Sequence, residues 1–204
     1  MSSRNKIGIA GLVVLGVLLL TGIYIIGTYN GLIRSDQQVQ SQWAQVENVY
    51  QRRQDLVPNL VETVKGAAGF EKSTYTAVAE ARAKVGQVSA ASLTNPTDAS
   101  AQFAQFQQAQ DGLSSALSRL MVVVERYPDL KATENFRDLQ AQLEGTENRI
   151  AVERMRFNET AQAFNSKRDS FPASLVAGMS GARFQDKSYF KAQAQAETAP
   201  PVKF

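Results

Sequence analysis

Two polar blocks carry the side chains from which a site could be built. The first, RRQDLVPNLVETVKG from Arg52 to Gly66, sets the guanidiniums of Arg52 and Arg53, the carboxylates of Asp55 and Glu62 and the amide of Asn59 into an otherwise apolar helical stripe. The second, LEGTENRIAVERMRFNETAQAFN from Leu143 to Asn165, places Glu144, Glu147, Asn148, Arg149, Glu153 and Arg154 at helical spacing. Paired arginines fork onto carboxylates and phosphates, so facing blocks would form a cleft for an anionic or peptide ligand. The competing reading pairs the charges across a helix seam, Asp55 and Glu62 with basic residues of the last long helix, where they fix register as polar seam residues do in coiled coils. Glu144 and Glu147, three apart on one face, are also the raw material of a carboxylate-bridged di-metal site.

Composition removes most of the catalytic options. The 204 residues include no Cys and no His, which excludes thiolate nucleophiles, Ser-His-Asp triads, zinc ribbons and His-ligated metals. A Glu-x-x-His di-iron pattern needs the missing imidazole. We therefore expect no enzyme, no cofactor, no metal and no catalytic residue. Setting aside Arg4 and Lys6 from the 22 basic residues leaves 20 against 19 acidic ones, a nearly neutral body with no Lys/Arg block for a phosphate backbone. Nucleic acid is not an expected partner.

The elements that must position these blocks are helical. From Ile7 to Ile33 no residue is charged, and IGIAGLVVLGVLLLTGIYII, Ile7 to Ile26, is long enough at about 1.5 Å per residue to span a hydrocarbon layer of about 30 Å. The run is longer than a signal-peptide core and no small-x-small cleavage triplet follows it, so it reads as an uncleaved anchor. Arg4 and Lys6 before it, against a cancelling Arg34 and Asp36 after it, favour a cytoplasmic N-terminus; Tyr24 and Tyr29 stand at belt positions.

Beyond the anchor, Val39, Trp43, Val46, Tyr50, Arg53, Val57, Leu60 and Val64 recur at spacings of three and four, an a/d seam. Pro58 inside it predicts a kink or short break, and Gly66 and Gly69 a turn. A second helix is expected over about 71–90, with Tyr75, Val78, Arg82 and Val85 on one side. Asn95-Pro96-Thr97-Asp98 is a start signal for a third, whose seam runs Phe103, Phe106, Gln110, Leu113, Leu117, Leu120, Val124 and Tyr127. After the connector Pro128 to Lys131, a fourth carries Phe136, Leu139, Leu143, Thr146, Ile150, Phe157, Ala161 and Phe164 up to Phe171-Pro172, a rod of roughly 58 Å. The phenylalanines at these seam positions could line a lipid groove, but seam spacing makes core the default. Trp43 fits core and membrane interface equally well. Leu175, Val176, Phe184, Tyr189 and Phe190 could fold back onto the bundle.

The segments YNGL (Tyr29 to Leu32), RRQDLVPNLVETVKG, PDLKATENFRDLQAQLEGTENRIAVERMRFN and FPASLV together resemble the LemA family of bacterial membrane proteins. The departures are Ala67 and Phe70 before Glu71, where the family commonly shows an aromatic and a His-Glu pair, and Phe157 in place of a common Tyr. The resemblance implies a single-pass, N-terminally anchored inner-membrane protein with a helical-bundle domain, and it brings no settled enzymatic activity.

The expected fold is thus all-α: an N-terminal transmembrane helix followed by an elongated antiparallel four-helix bundle with coiled-coil-like seams. Residues 1–6 form a cytoplasmic flank, 7–29 the transmembrane helix, 30–190 the LemA-like helical-bundle domain and 191–204 a disordered tail. The expected function is a membrane-anchored scaffold or assembly protein of the bacterial cell envelope. It would be homo-oligomeric through close packing at Gly8, Gly11, Gly16, Gly22 and Gly27, with an envelope protein as a further partner and the domain in the periplasm. The alternative is an anchored binding module that holds a peptide, lipid or envelope partner in a groove between the first and last helices.

Overall fold

Apolar side chains at three-four spacing and long runs of good helix formers leave little but helix to form. In the computed structural model, which describes residues 3–67, 69–88 and 99–191, no strand occurs among the described residues. The helices are α1 (Ser3–Lys65), α2 (Lys72–Gln87), α3 (Ala99–Val124), α4 (Pro128–Ala132), α5 (Glu134–Asp169) and α6 (Ala173–Met179), followed by a 3₁₀ turn at Gly181–Phe184. The start signal at 95–98, the expected end of the second helix near residue 90 and the tail from 192 onward lie outside the described residues.

α1 is one helix of 63 residues that serves two solvents. Its N-terminal part is long and apolar enough to cross a membrane. No other described part of the protein covers it: the large apolar side chains from Leu12 to Ile26 are 42–71% exposed. Its threonine hydroxyls are satisfied within the helix, Thr21 donating to the Val17 carbonyl (2.8 Å) and Thr28 to that of Tyr24 (2.9 Å). Past the apolar stretch the same helix buries Leu32, Val39, Val46, Tyr50, Val57, Leu60 and Val64.

The expected break at Pro58 does not occur. A proline removes one N–H and orphans the carbonyl four residues back, here that of Gln54. Arg82 of α2 supplies the missing donor, its Nε bonding the Gln54 oxygen at 3.1 Å, and α1 continues to Lys65. The chain then turns at Gly69, whose φ of +77° a glycine adopts without strain.

Side-chain pairings set the helix directions. Lys167 meets Gly31, Glu153 meets Gln42 and Glu147 meets Arg53, so α5 runs antiparallel to α1. Lys65 lies over the Tyr75 ring and Arg82 reaches Gln54, so α2 also descends along α1. α3 ascends beside α1, with Phe103 and Phe106 against Trp43 and Ser114 against Arg53. Consecutive long helices therefore alternate in direction. The connector at Pro128 is itself a short helix, with proline in its first turn, Asp129 near its start and Leu130 buried. α5 is capped by Thr133, whose hydroxyl accepts from the Phe136 N–H, and its 36 residues span about 54 Å.

The core falls into two apolar clusters. One, nearer the apolar stretch of α1, gathers Val39, Val46, Tyr50, Phe103, Phe106, Ile150, Phe157, Phe164, Val176, Phe184 and Phe190, with Trp43 packed on it. The other gathers Val57, Leu60, Val64, Val78, Val85, Leu113, Leu117, Leu120, Phe136 and Leu143. Val176, Phe184 and Phe190 fold back as expected, whereas Leu175 and Tyr189 stay exposed.

Candidate functional site: a polar layer between two cores

Between the two clusters lies a polar layer at one height on three helices. On α1, Arg53 falls between Tyr50 and Val57; on α3, Gln110 falls between Phe106 and Leu113; on α5, Thr146 and Glu147 fall between Leu143 and Ile150. Arg53 is 1% exposed, and its Nη1 donates to Glu147 Oε1 and Ser114 Oγ, each at 2.7 Å. Its Nη2 donates to the Gln110 side-chain oxygen and, at 3.4 Å, to the Gln110 carbonyl. The guanidinium also sits over the Tyr50 ring, 5.1 Å from the centroid. Burial pushes the Tyr50 phenol above its ordinary value of 10.0, and the nearby Arg154 and Arg53 pull it partly back.

The layer is not fully satisfied. Arg53 Nε and Gln110 Nε2 are buried without a hydrogen-bond partner. Such a group costs about 1–3 kcal/mol, which is offset here by the charge-assisted bonds of the same guanidinium. Register follows from this cost: sliding α1 along the seam would bury Arg53 against leucines with no carboxylate, a loss of several kcal/mol.

Of the candidate residues, only Arg53 and Glu147 meet. Asp55 lies two residues past Arg53, about 200° around the helix, and Glu62 about 180° around it. Both are exposed, and both are held on α1 itself: Asp55 accepts from Gln51 (2.8 Å), and Glu62 pairs with Lys65 (2.7 Å) instead of reaching the last long helix. The Glu62 hydrogen bond raises the Lys65 ammonium above its ordinary value. Arg52 and Asn59 face solvent, as do Glu144, Asn148 and Arg149; Glu144 accepts from Gln140 on its own helix at 2.8 Å. No group of three or more metal-ligating side chains occurs among the described residues. At this level the α1–α5 seam is filled, with Gln42 donating to Glu153 (2.7 Å) one step closer to the apolar stretch.

Sequence reasoning placed Gln110 in the seam of its helix but assigned it no role, and it missed Ser114 altogether. A glutamine at a core seam position was the available signal; a serine one turn on carries none. It also missed the polar contacts where α1 leaves its apolar stretch. There Lys167 donates to the Gly31 carbonyl (2.7 Å) and to Ser35 (3.0 Å), so close that a Cβ on Gly31 would lie 3.1 Å from the ammonium. Asp36 pairs with Lys187 at 2.6 Å.

Comparison with known proteins finds relatives along most of the chain. A model of the LemA family matches residues 42–204. The chain is 25% identical over 187 residues to magnetosome protein MamQ 2 of Paramagnetospirillum magneticum, covering 83% of this chain and 67% of that one. It is 25% identical over 184 residues to magnetosome protein MamQ of Magnetospirillum gryphiswaldense, with the same coverage. To protein LemA of Metamycoplasma hominis it is 25% identical over 167 residues, covering 80% of this chain and 71% of the relative.

Proposed function

The chain belongs to the LemA family, and on that premise we propose that it is a single-pass, membrane-anchored helical scaffold of the bacterial cell envelope that associates with copies of itself. One observation carries the reading. α1 runs without interruption from the apolar stretch, through Pro58, into both core clusters, so the domain is fixed to its anchor by a rigid rod and not by a flexible linker. Such coupling suits a spacer or assembly element, which must hold its domain at a fixed height. The buried polar layer is spent on register, with its single cation neutralised inside the fold.

One further feature supports association. The apolar stretch offers Gly11, Gly16, Gly22 and Gly27 with open space where a Cβ would stand, so another span could approach closely. The N-terminus lies in the cytoplasm and the domain in the periplasm, from the Arg4 and Lys6 bias before the apolar stretch.

Amine-reactive cross-linking in native membranes tests the scaffold: a ladder of oligomers or a reproducible partner adduct is expected, and monomers alone would overturn it. A reporter fused after Phe204 tests orientation, with activity expected only outside the cytoplasm.

A further inference from the structure

Past the 3₁₀ turn, the stretch Gln185 to Lys191 leaves helical structure and lies across α3 and α5 as a bound peptide lies on a receptor. Three side-chain amides grip its backbone, each taking the N–H and the C=O of a single residue. Asn165 donates to the Lys187 carbonyl and accepts from the Lys187 N–H, both at 2.9 Å. Asn158 does the same to Phe190, again at 2.9 Å on both sides. Gln107 of α3 repeats it on Lys191 at 3.0 and 3.3 Å, and Arg154 adds a bond to the Lys191 carbonyl at 2.7 Å.

The spacing is matched to an extended ligand. Asn158 and Asn165 are seven residues apart on α5, about 10.5 Å along a helix, and they read residues three apart, about 10 Å along an extended chain. Amides used this way imitate strand pairing and read backbone independently of sequence.

Two side chains are held in sites of their own, while a third, Tyr189, stays exposed with its hydroxyl accepting from Asn165 at 2.8 Å. Phe190 is buried in an aromatic box, 4.7 Å between centroids from Phe103, 5.5 Å from Phe157 and 6.0 Å from Trp43, with the Arg154 guanidinium 4.7 Å from its centroid. Lys187 lies over the Phe164 ring at 5.0 Å and ends on Asp36. Backbone clamps plus a lysine site and an aromatic site three residues apart specify Lys-x-x-Phe in an extended conformation. None of these residues belongs to the Arg53 layer.

We propose that this surface is a docking groove for an extended Lys-x-x-Phe segment, and that its occupant in the assembled membrane is residues 185–191 of a second copy of the chain. The inference rests on the self-association proposed above and supplies its contact. An identical segment from a neighbour remakes every bond, so exchange sacrifices none. The stretch leaves the body at Gln185, just past the buried Phe184, and a change of backbone angles there redirects residues 185–191 while Phe184 keeps its place in the core. Copies anchored by the same unbroken α1 carry their grooves at one height above one membrane, which raises the effective concentration of the neighbour's segment.

The chain has no native cysteine, so introduced ones are unique. Two differently tagged full-length copies, one Gln107→Cys and one Lys191→Cys, are co-expressed and treated in native membranes with a short bis-maleimide. A mixed dimer bearing both tags is expected. Adding Asn158→Ala to the Gln107→Cys copy, which removes two backbone bonds without opening a core cavity, lowers its yield roughly tenfold; Phe190→Ala in the other copy abolishes it. Absence of the mixed dimer, while a chain with both cysteines links internally, overturns exchange between copies. A mixed dimer indifferent to both substitutions overturns the groove as its route. An amine-reactive cross-linker on the same membranes separates the two ideas: oligomers without the mixed dimer defeat this inference alone, and monomers alone defeat the scaffold too.

Discussion

Arg53 is a buried cation whose counter-ion, Glu147, is 41% exposed, so the two ends of the pair cost different amounts to remove. Glu147→Ala strands the guanidinium with neutral partners. Breaking a buried pair costs about 3–5 kcal/mol, and with one partner half in solvent we expect about 2 kcal/mol, a fall in Tm of roughly 4–8 °C for a domain of this size. The double variant Arg53→Met with Gln110→Leu removes the buried polar groups together, and should stay within about 1 kcal/mol of the parent while packing less uniquely. Thermal melts of the full-length protein in detergent, followed by circular dichroism, check both; an unchanged Tm for Glu147→Ala would remove the layer from the stability of the fold. Tyr50 adds a pH dependence. Its phenol is raised in the folded state, so its stabilisation is complete below pH 10 and is lost as pH rises from there through the folded value. Tyr50→Phe should leave the Tm at pH 7 nearly unchanged and flatten its decline above pH 10; parallel profiles for parent and variant would contradict this.

The contact between α2 and α1 at Pro58 is where one element depends on another. Arg82 stands in for the N–H that proline lacks, so Arg82→Met should cost about 1 kcal/mol in the parent and close to nothing in a Pro58→Ala background, where the backbone supplies its own donor. A double-mutant cycle of denaturant midpoints measures this, and additivity of the two changes would refute it. The same site shows why some of the structure was readable and some was not. Val57, Leu60 and Val64, or Leu113, Leu117 and Leu120, announce a buried face by period alone, and all of them are buried. Pro58 announces a fault, but its remedy sits 24 residues further along the chain on another helix, and nothing local to either position records it. Arg53 was legible as a seam residue. That Asp55 and Glu62 turn away from the α5 block follows from helix geometry, about 100° per residue, which proximity in sequence conceals. Asn158 and Asn165 were the least legible, because all but one of their targets are backbone groups and backbone has no sequence signature. The short helix α4 was present in its proline and Asp129, yet a five-residue element is too brief for periodicity to mark.

A continuous α1 makes the molecule a ruler. Trp43, the only tryptophan in the chain, lies 17 residues beyond Ile26, about 25 Å further along the helix. The indole is engaged by Phe103, Phe106, Phe157 and Phe190 at centroid separations of 5.4–6.0 Å, which leaves no part for it in the headgroup region. Its emission in reconstituted bilayers should therefore be that of a half-buried indole packed among rings and should not be quenched by lipids brominated on their acyl chains. Strong quenching would mean that the domain lies down on the membrane or that α1 bends before Trp43, and either outcome would break the rigid coupling on which the scaffold reading depends. Phe190→Ala sharpens the measurement, because it opens the aromatic box without moving the anchor. Tryptophan emission should then shift to longer wavelength and become accessible to a water-soluble quencher, while the brominated lipids still have no effect, since height above the bilayer is set by α1 and not by what fills the groove.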